Sequence, residues 1–356
     1  MNELIIYTAD DIRRRTRVRQ GEQKVGELVR TLDSGNKKLS ELLETCSSDF
    51  VLLGIPEDIG VRANFGRGGA WSAWETSLSH ILNVQSSDEF KGNELLVLGH
   101  IHTEDLMDQC SSVDFRTDKG IQLARNMVEE LDRRVHAVIA VITAAGKIPV
   151  VIGGGHNNAY PLISGTASGL HKSGQIDSAS INVINCDAHS DFRIAEGRHS
   201  GNGFRYAWSA GFMQQYAMVG LHKNFNPATV VQEMQMNPGK FQYTWFEDIY
   251  LKHHISFRDA VMKAIRFTSE LPCGIEIDMD TVENIPSSAR TPSGISANEA
   301  RMYVYLCAHL GKSAYLHIAE AAPVLAHRNA DFKTGKLISY LVGDFIRGIS
   351  EKKKQH

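Results

Sequence analysis

The 356-residue sequence contains no Cys-x-x-Cys pair. Its five cysteines, Cys46, Cys110, Cys186, Cys273 and Cys307, are odd in number and far apart. Neither a disulfide framework nor a thiolate zinc site is expected. Cys186 and Cys273 sit inside apolar runs and read as small buried thiols. The opening stretch, MNELIIYTADDIRRR, lacks the apolar segment of a secretion signal. No apolar stretch reaches the roughly 20 residues that a membrane span needs. A cytoplasmic protein without membrane contact is expected. Excess charge is scarce as well, the formal net charge being −3. That leaves no basic field for a phosphate backbone, so nucleic acid is not an expected partner. Repeats, low-complexity tracts and linkers are not found in the sequence.

Short apolar runs recur instead: FVLLGIP (50–56), ELLVLGHI (94–101), IPVVIGGG (148–155), INVINCDAH (181–189), YAMVGLH (216–222), FQYTWF (241–246), CGIEIDMD (273–280) and SAYLHIAEAAP (313–323). Continuous runs of this length suit strands covered on both faces, as in parallel sheets. Segments with helical period lie between them, near 157–172, 226–236, 255–270, 296–311 and 332–349. The clearest is 121–146, which ends at Gly146 as a helix terminus would. This alternation predicts one α/β domain over residues 1–356, a three-layer α/β/α fold on a mostly parallel sheet of about eight strands. Residues 1–49 read as an N-terminal extension and 50–350 as the core. The EKKKQH tail reads as a solvated terminus.

In an open α/β sheet, ligands bind beyond the carboxyl ends of the strands. Polar residues gather there in this sequence. His156 follows IPVVIGGG, Asp187, His189 and Asp191 follow INVINC, Asp278 and Asp280 end CGIEIDMD, and Glu320 follows AYLHIA. In extended chain, positions i and i+2 share a side, which predicts that Asp187 converges with His189, and Asp278 with Asp280. Four aspartates are tolerable in a low-dielectric cleft only if something cancels their charge. Two divalent cations would do so, and oxygen plus imidazole donors favour Mn²⁺, with Fe, Co, Ni or Zn as alternatives. Two such ions about 3.5–4 Å apart lower the pKa of a shared water toward neutrality.

These residues resemble those of the arginase, agmatinase and formimidoylglutamase superfamily. The marks are GGGH (153–156), DAHSD (187–191) and DMD (278–280). The resemblance implies a binuclear Mn²⁺ centre. One ion would take His156, Asp187, Asp191 and Asp278, and the other His189, Asp187, Asp278 and Asp280, with Asp187 and Asp278 bridging. It also implies hydrolysis of an amidine or guanidinium C–N bond, with Glu320 gripping the cationic nitrogens, and a homo-oligomeric enzyme acting on a small molecule. GIPEDIGVRANFGRGGA (54–70) and HSGNGFRYA (199–207) are similar to segments of formimidoylglutamases. On that likeness Arg205, with Asn202 or Arg67, is expected to hold the substrate's glutamyl end, since a guanidinium fork suits a carboxylate. Asp191, Glu320 and His199 are the catalytic candidates; His199, Glu320 or a water could supply the general acid. Two features depart from the family pattern: Glu276 where a small residue is usual, and TVENIPSSARTPSG (281–294). The expected reaction is N-formimidoyl-L-glutamate plus water giving L-glutamate plus formamide. The alternatives are an arginase- or agmatinase-like hydrolase, and a metal-poor binding or regulatory subunit.

Overall fold

Runs that are apolar at every position leave no wet face, so they fold as strands sandwiched between helices. The computed structural model describes residues 3–32, 37–326 and 330–354. It contains nine strands: β1 (Leu4–Ile6), β2 (Phe50–Gly54), β3 (Leu95–Ile101), β4 (Ile148–Ile152), β5 (Ile181–Cys186), β6 (Met213–Leu221), β7 (Phe241–Trp245), β8 (Cys273–Asp278) and β9 (Ser313–Ala319). They form a single sheet in the order β1-β3-β2-β4-β9-β8-β5-β6-β7. All neighbours pair in parallel except β1, which runs antiparallel to β3 with Leu4 opposite Ile101. The eight expected runs are β2 to β9. The ninth comes from the N-terminal extension, where three residues are too few to register as a pattern.

Alternate residues of each strand face different layers. Leu52, Ile152, Ile184, Ile277 and Ile318 pack against helices Ala73–Ile81, Phe257–Phe267, Ala297–Leu310 and Ala330–Lys354. Val51, Val151, Val183, Met218 and Tyr315 face Asp118–Ala144, Ala159–Lys172 and Gly203–Ser209 on the other side. Helix Asp118–Ala144 starts where the Thr117 side chain accepts from the Gly120 N–H, and Gly146 just beyond its end takes φ 71°, a left-handed turn that glycine adopts freely. The tail stays helical to Lys354, and residues 355–356 lie outside the described residues.

The centre of the sheet matters most for function. β4, β9, β8 and β5 are consecutive neighbours, and these are the four strands whose ends carry the candidate site residues. Register keeps those ends level, with Ile152 beside Ile318, Asp278 beside Ala319 and Cys186 beside Ile277.

Candidate metal centre and its cleft

His156 stands at the start of a short turn after three glycines, and that turn is tied down by Glu57. The fully buried Glu57 carboxylate accepts from Gly155 N–H (2.9 Å), from the Asn157 and Asn158 amides (3.2 and 2.7 Å) and from Ile59 N–H (2.7 Å). A methyl group on Gly154 would sit 2.3 Å from the Asn158 amide, and Gly154 has φ 75°, so only glycine fits.

Strand β5 ends one residue before Asp187, so the expected strand geometry for Asp187 and His189 is replaced by a turn. Asp187 Oδ1 accepts from the His189 N–H at 2.7 Å, and Asn185 Nδ2 donates to Oδ2 at 3.0 Å. The same device recurs on β8, where Asp278 Oδ1 accepts from Asp280 N–H at 2.8 Å. Convergence therefore comes from carboxylates capping the following amides rather than from strand period. Asp191 and Glu320 both adopt positive φ, 42° and 63°. That region is costly for side-chain-bearing residues and recurs at functional sites.

The structure brings all six metal-ligand candidates together. Donor atoms of His156, Asp187, Asp191 and Asp278 lie within 4.8 Å of one another, as do those of Asp187, His189 and Asp280. Asp187 belongs to both groups. His156 Nδ1 is 3.4 Å from Asp187 Oδ2, 3.0 Å from Asp191 Oδ2 and 3.1 Å from Asp278 Oδ2. His189 Nδ1 is 3.5 Å from Asp187 Oδ1 and 3.4 Å from Asp280 Oδ2.

Burial, then the charges of Asp280 and Asp187, push the Asp278 carboxyl well above the ordinary range. Burial also opposes charge on Asp187, but contacts with His156 and His189 hold its pKa down. Burial likewise works against a charged His189, yet Asp280 and Asp187 drive its pKa far up. Within the chain itself, these carboxylates have the two imidazoles as their facing partners. Asp280 Oδ1 is buried with no hydrogen-bond partner among the described residues. Buried acceptors without donors, shared carboxylates and hard oxygen plus imidazole donors fit a pair of divalent ions.

A cleft of about 500 Å³ opens over this cluster. Its walls include His189, Asp191, Asp278, Asp280 and Glu320, with Asn64, Arg193 and Ser288. Glu320 Oε1 accepts from the His156 N–H (3.0 Å), and Ser288 Oγ donates to Oε2 (3.2 Å). Burial pushes the Glu320 carboxyl up to about 8, and Asp280 and Asp191 add to it.

Four other residues expected at the site stand outside the cleft lining. Arg205 donates to both oxygens of Glu233 (2.6 and 2.7 Å) and its guanidinium lies 3.8 Å from the centre of the Phe192 ring. Its two terminal nitrogens are thus taken up by Glu233 and the Phe192 carbonyl. Asn202 is fully buried and bonds Arg198, the His199 N–H and the Gly197 carbonyl. Arg67 is exposed.

His199 is buried, with Nδ1 accepting from Gly201 N–H (3.1 Å) and Nε2 facing Glu196 (3.2 Å). It offers no proton to the cleft. Burial, with Arg193 and Arg125 nearby, lowers its pKa to about 4. The unfolded chain takes up this proton near pH 6.5 and the folded one only near 4. Its effect on stability is therefore nil above pH 6.5 and grows more unfavourable as pH falls toward 4, reaching about 3 kcal/mol. Urea unfolding of His199→Asn should show a shallower loss between pH 7 and 4 than the parent; parallel profiles would contradict this.

The arginine that does line the cleft is Arg193, which donates to Asn64 Oδ1 (2.9 Å) and Glu196 Oε1 (2.8 Å). Its signal in the sequence was its place two residues after Asp191. Ser288 and the network around Glu57 left no comparable signal.

The sequence model of the arginase family matches residues 48–346. Formimidoylglutamase of Aromatoleum aromaticum is 30% identical over 184 residues, 51% of this chain and 49% of that protein. The chain thus spans about half the length of that relative. Formimidoylglutamase of Streptococcus pyogenes is 24% identical over 307 residues, 84% of each. Among solved structures, Trypanosoma cruzi formiminoglutamase with Mn²⁺ matches at a TM-score of 0.68 and 19% identity, covering 92% of this chain and 99% of that one. Bacillus subtilis formimidoylglutamase matches at 0.66 and 16% identity, covering 94% and 95%. At these identities the structures speak to the fold.

Proposed function

The chain belongs to the arginase family, and on that footing we propose that it hydrolyses N-formimidoyl-L-glutamate to L-glutamate and formamide. The observation that carries this reading is a ring of acidic and imidazole donors at four adjacent strand ends, with an arginine on the wall of the same cleft. Its relatives named formimidoylglutamase support the choice of substrate.

In this reading His156, Asp187, Asp191 and Asp278 hold one divalent ion and His189, Asp187, Asp278 and Asp280 the other, Mn²⁺ being the first choice. When bound, such a pair offsets the clustered negative charge and lowers the pKa of water toward neutrality, which supplies a nucleophile. The chain's own residues then position the substrate. Glu320, fixed by His156 N–H and Ser288, accepts hydrogen bonds from the cationic amidinium, whose charge returns the carboxyl to its ionised form. Arg193, with its fork steadied by Asn64 and Glu196, meets a carboxylate of the glutamyl end. A homo-oligomer in the cytoplasm, with all five cysteines free, completes the reading.

The test is a substrate panel with the Mn²⁺-loaded protein. Formamide release from N-formimidoyl-glutamate should exceed urea release from arginine or agmatine by at least about 10-fold in kcat/KM, the discrimination that a charge-assisted hydrogen bond to the glutamyl end supplies. Faster urea release would move the assignment to guanidino hydrolysis. No turnover, with less than one ion retained per chain, would mark a binding or regulatory subunit.

A further inference from the structure

A second carboxylate network lies beneath the cluster, inside the sheet. Glu276 occupies β8 between Ile275 and Ile277, and its side chain is fully buried. A carboxylate taken from water into such a place costs several kcal/mol unless donors surround it. Parallel pairing supplies them. β9 sets His317 directly beside Glu276 and Tyr315 beside Gly274. A methyl group on Gly274 would lie 2.4 Å from the Tyr315 ring, so glycine makes the room. Tyr315 donates its hydroxyl to Glu276 Oε1 at 2.6 Å, and His317 Nδ1 approaches Oε2 at 2.6 Å while its Nε2 faces the Gly153 carbonyl at 3.3 Å. Two side chains of one strand thus clamp the carboxylate of the next.

The remaining neighbour of that carboxylate is His156. Its Nε2 is buried, has no hydrogen-bond partner among the described residues, and stands 3.4 Å from Glu276 Oε2, the carboxylate oxygen it faces. Its Nδ1 faces Asp187, Asp191 and Asp278. The opposite edges of one ring therefore meet different environments, a locked carboxylate on one side and the candidate ion site on the other. A carboxylate that accepts from one nitrogen leaves the other nitrogen's lone pair free, which fixes both tautomer and ring orientation.

We infer that Glu276 is a positioning residue that presents His156 Nδ1 to a divalent ion, with Tyr315 and His317 holding the carboxylate in place. This rests on the metal-centre reading above and names the device that orients one of its ligands. Phe204, edge-on to the His156 ring at 5.0 Å between centroids, closes another side. The ring is thus steadied by packing as well as by charge.

The test measures Mn²⁺ affinity by competition with a chelating indicator, independently of any substrate. Glu276→Ser, which removes the acceptor, should weaken affinity by about 10- to 100-fold, the usual cost of losing such a partner. Glu276→Gln keeps one oxygen toward His156 and should fall between Ser and the parent. Tyr315→Phe, which leaves both histidine contacts but removes one donor that holds the carboxylate, should weaken affinity by less than Glu276→Ser does. Thermal unfolding of the metal-free proteins runs alongside. If Glu276→Ser does not fold, Glu276→Gln decides alone. Parent-like affinity in Glu276→Gln and Glu276→Ser, whatever their melting temperatures, would overturn the inference. Failure of the parent itself to bind Mn²⁺ would overturn the metal-centre reading and the inference with it.

Discussion

Asp278→Asn should abolish turnover while making the metal-free protein more stable. Asp278 is buried against Asp187 and Asp280, and their charges raise the energy of its ionised form. Ionised against those charges or protonated at a cost at neutral pH, the carboxyl opposes folding, and an amide removes that penalty, so unfolding of the ion-free chain should move to higher temperature. The same change removes a ligand shared by both proposed ions. Several kcal/mol of transition-state stabilisation then vanish, which corresponds to about three to four powers of ten in kcat/KM. The rise in melting temperature on adding Mn²⁺ should shrink as well, because that rise measures binding to the folded state. A variant that was merely misfolded would lose activity and stability together. Loss of activity with a gain in metal-free stability separates the two, and equal turnover by variant and parent would refute the assignment.

Arg193→Ala should raise KM for N-formimidoyl-glutamate by about 10- to 100-fold with kcat changed only a few-fold, because a charge-assisted hydrogen bond to substrate is worth about 1.5–3 kcal/mol. Its side chain is 44% exposed, so folding stability should move by no more than about 0.5 kcal/mol. Arg193→Lys should recover part of the loss, since the charge remains but the planar fork does not. Arg205→Ala supplies the contrast. Its side chain is 13% exposed, and the guanidinium spans Glu233 and the Phe192 ring, so that variant should lose about 1–3 kcal/mol of stability and keep its KM. The reverse pattern, with KM following Arg205 and not Arg193, would restore the reading made from the sequence segment 199–207.

The contrast between these arginines shows what the sequence could reveal. Strands β2 to β9 announce themselves because each must be apolar on both faces, and the ligand candidates announce themselves because GGGH, DAHSD and DMD fall together at three strand ends of one chain. Both signals are local. The motif around Arg205 carries chemistry but not direction: helix Gly203–Ser209 turns the guanidinium toward Glu233, 28 residues away. The placement of Arg193 on the cleft wall depends on Asn64, 129 residues back, which no local pattern announces. Glu276 is visible in the sequence as a departure from the family pattern, but its partners Tyr315 and His317 are set beside it only by the pairing of β8 with β9. The short β1 was invisible for a plainer reason, since its pairing depends on β3 and not on its own composition.

What sits among Asp187, His189, Asp191, Asp278, Asp280 and His156 decides whether this is a binuclear centre. Crystals of the Mn²⁺-loaded protein, with diffraction recorded at the manganese absorption edge, address this directly. Two anomalous peaks should appear, one between His156 and Asp191 and one between His189 and Asp280, with Asp187 touching both. A single peak, or none among these six side chains, would contradict it.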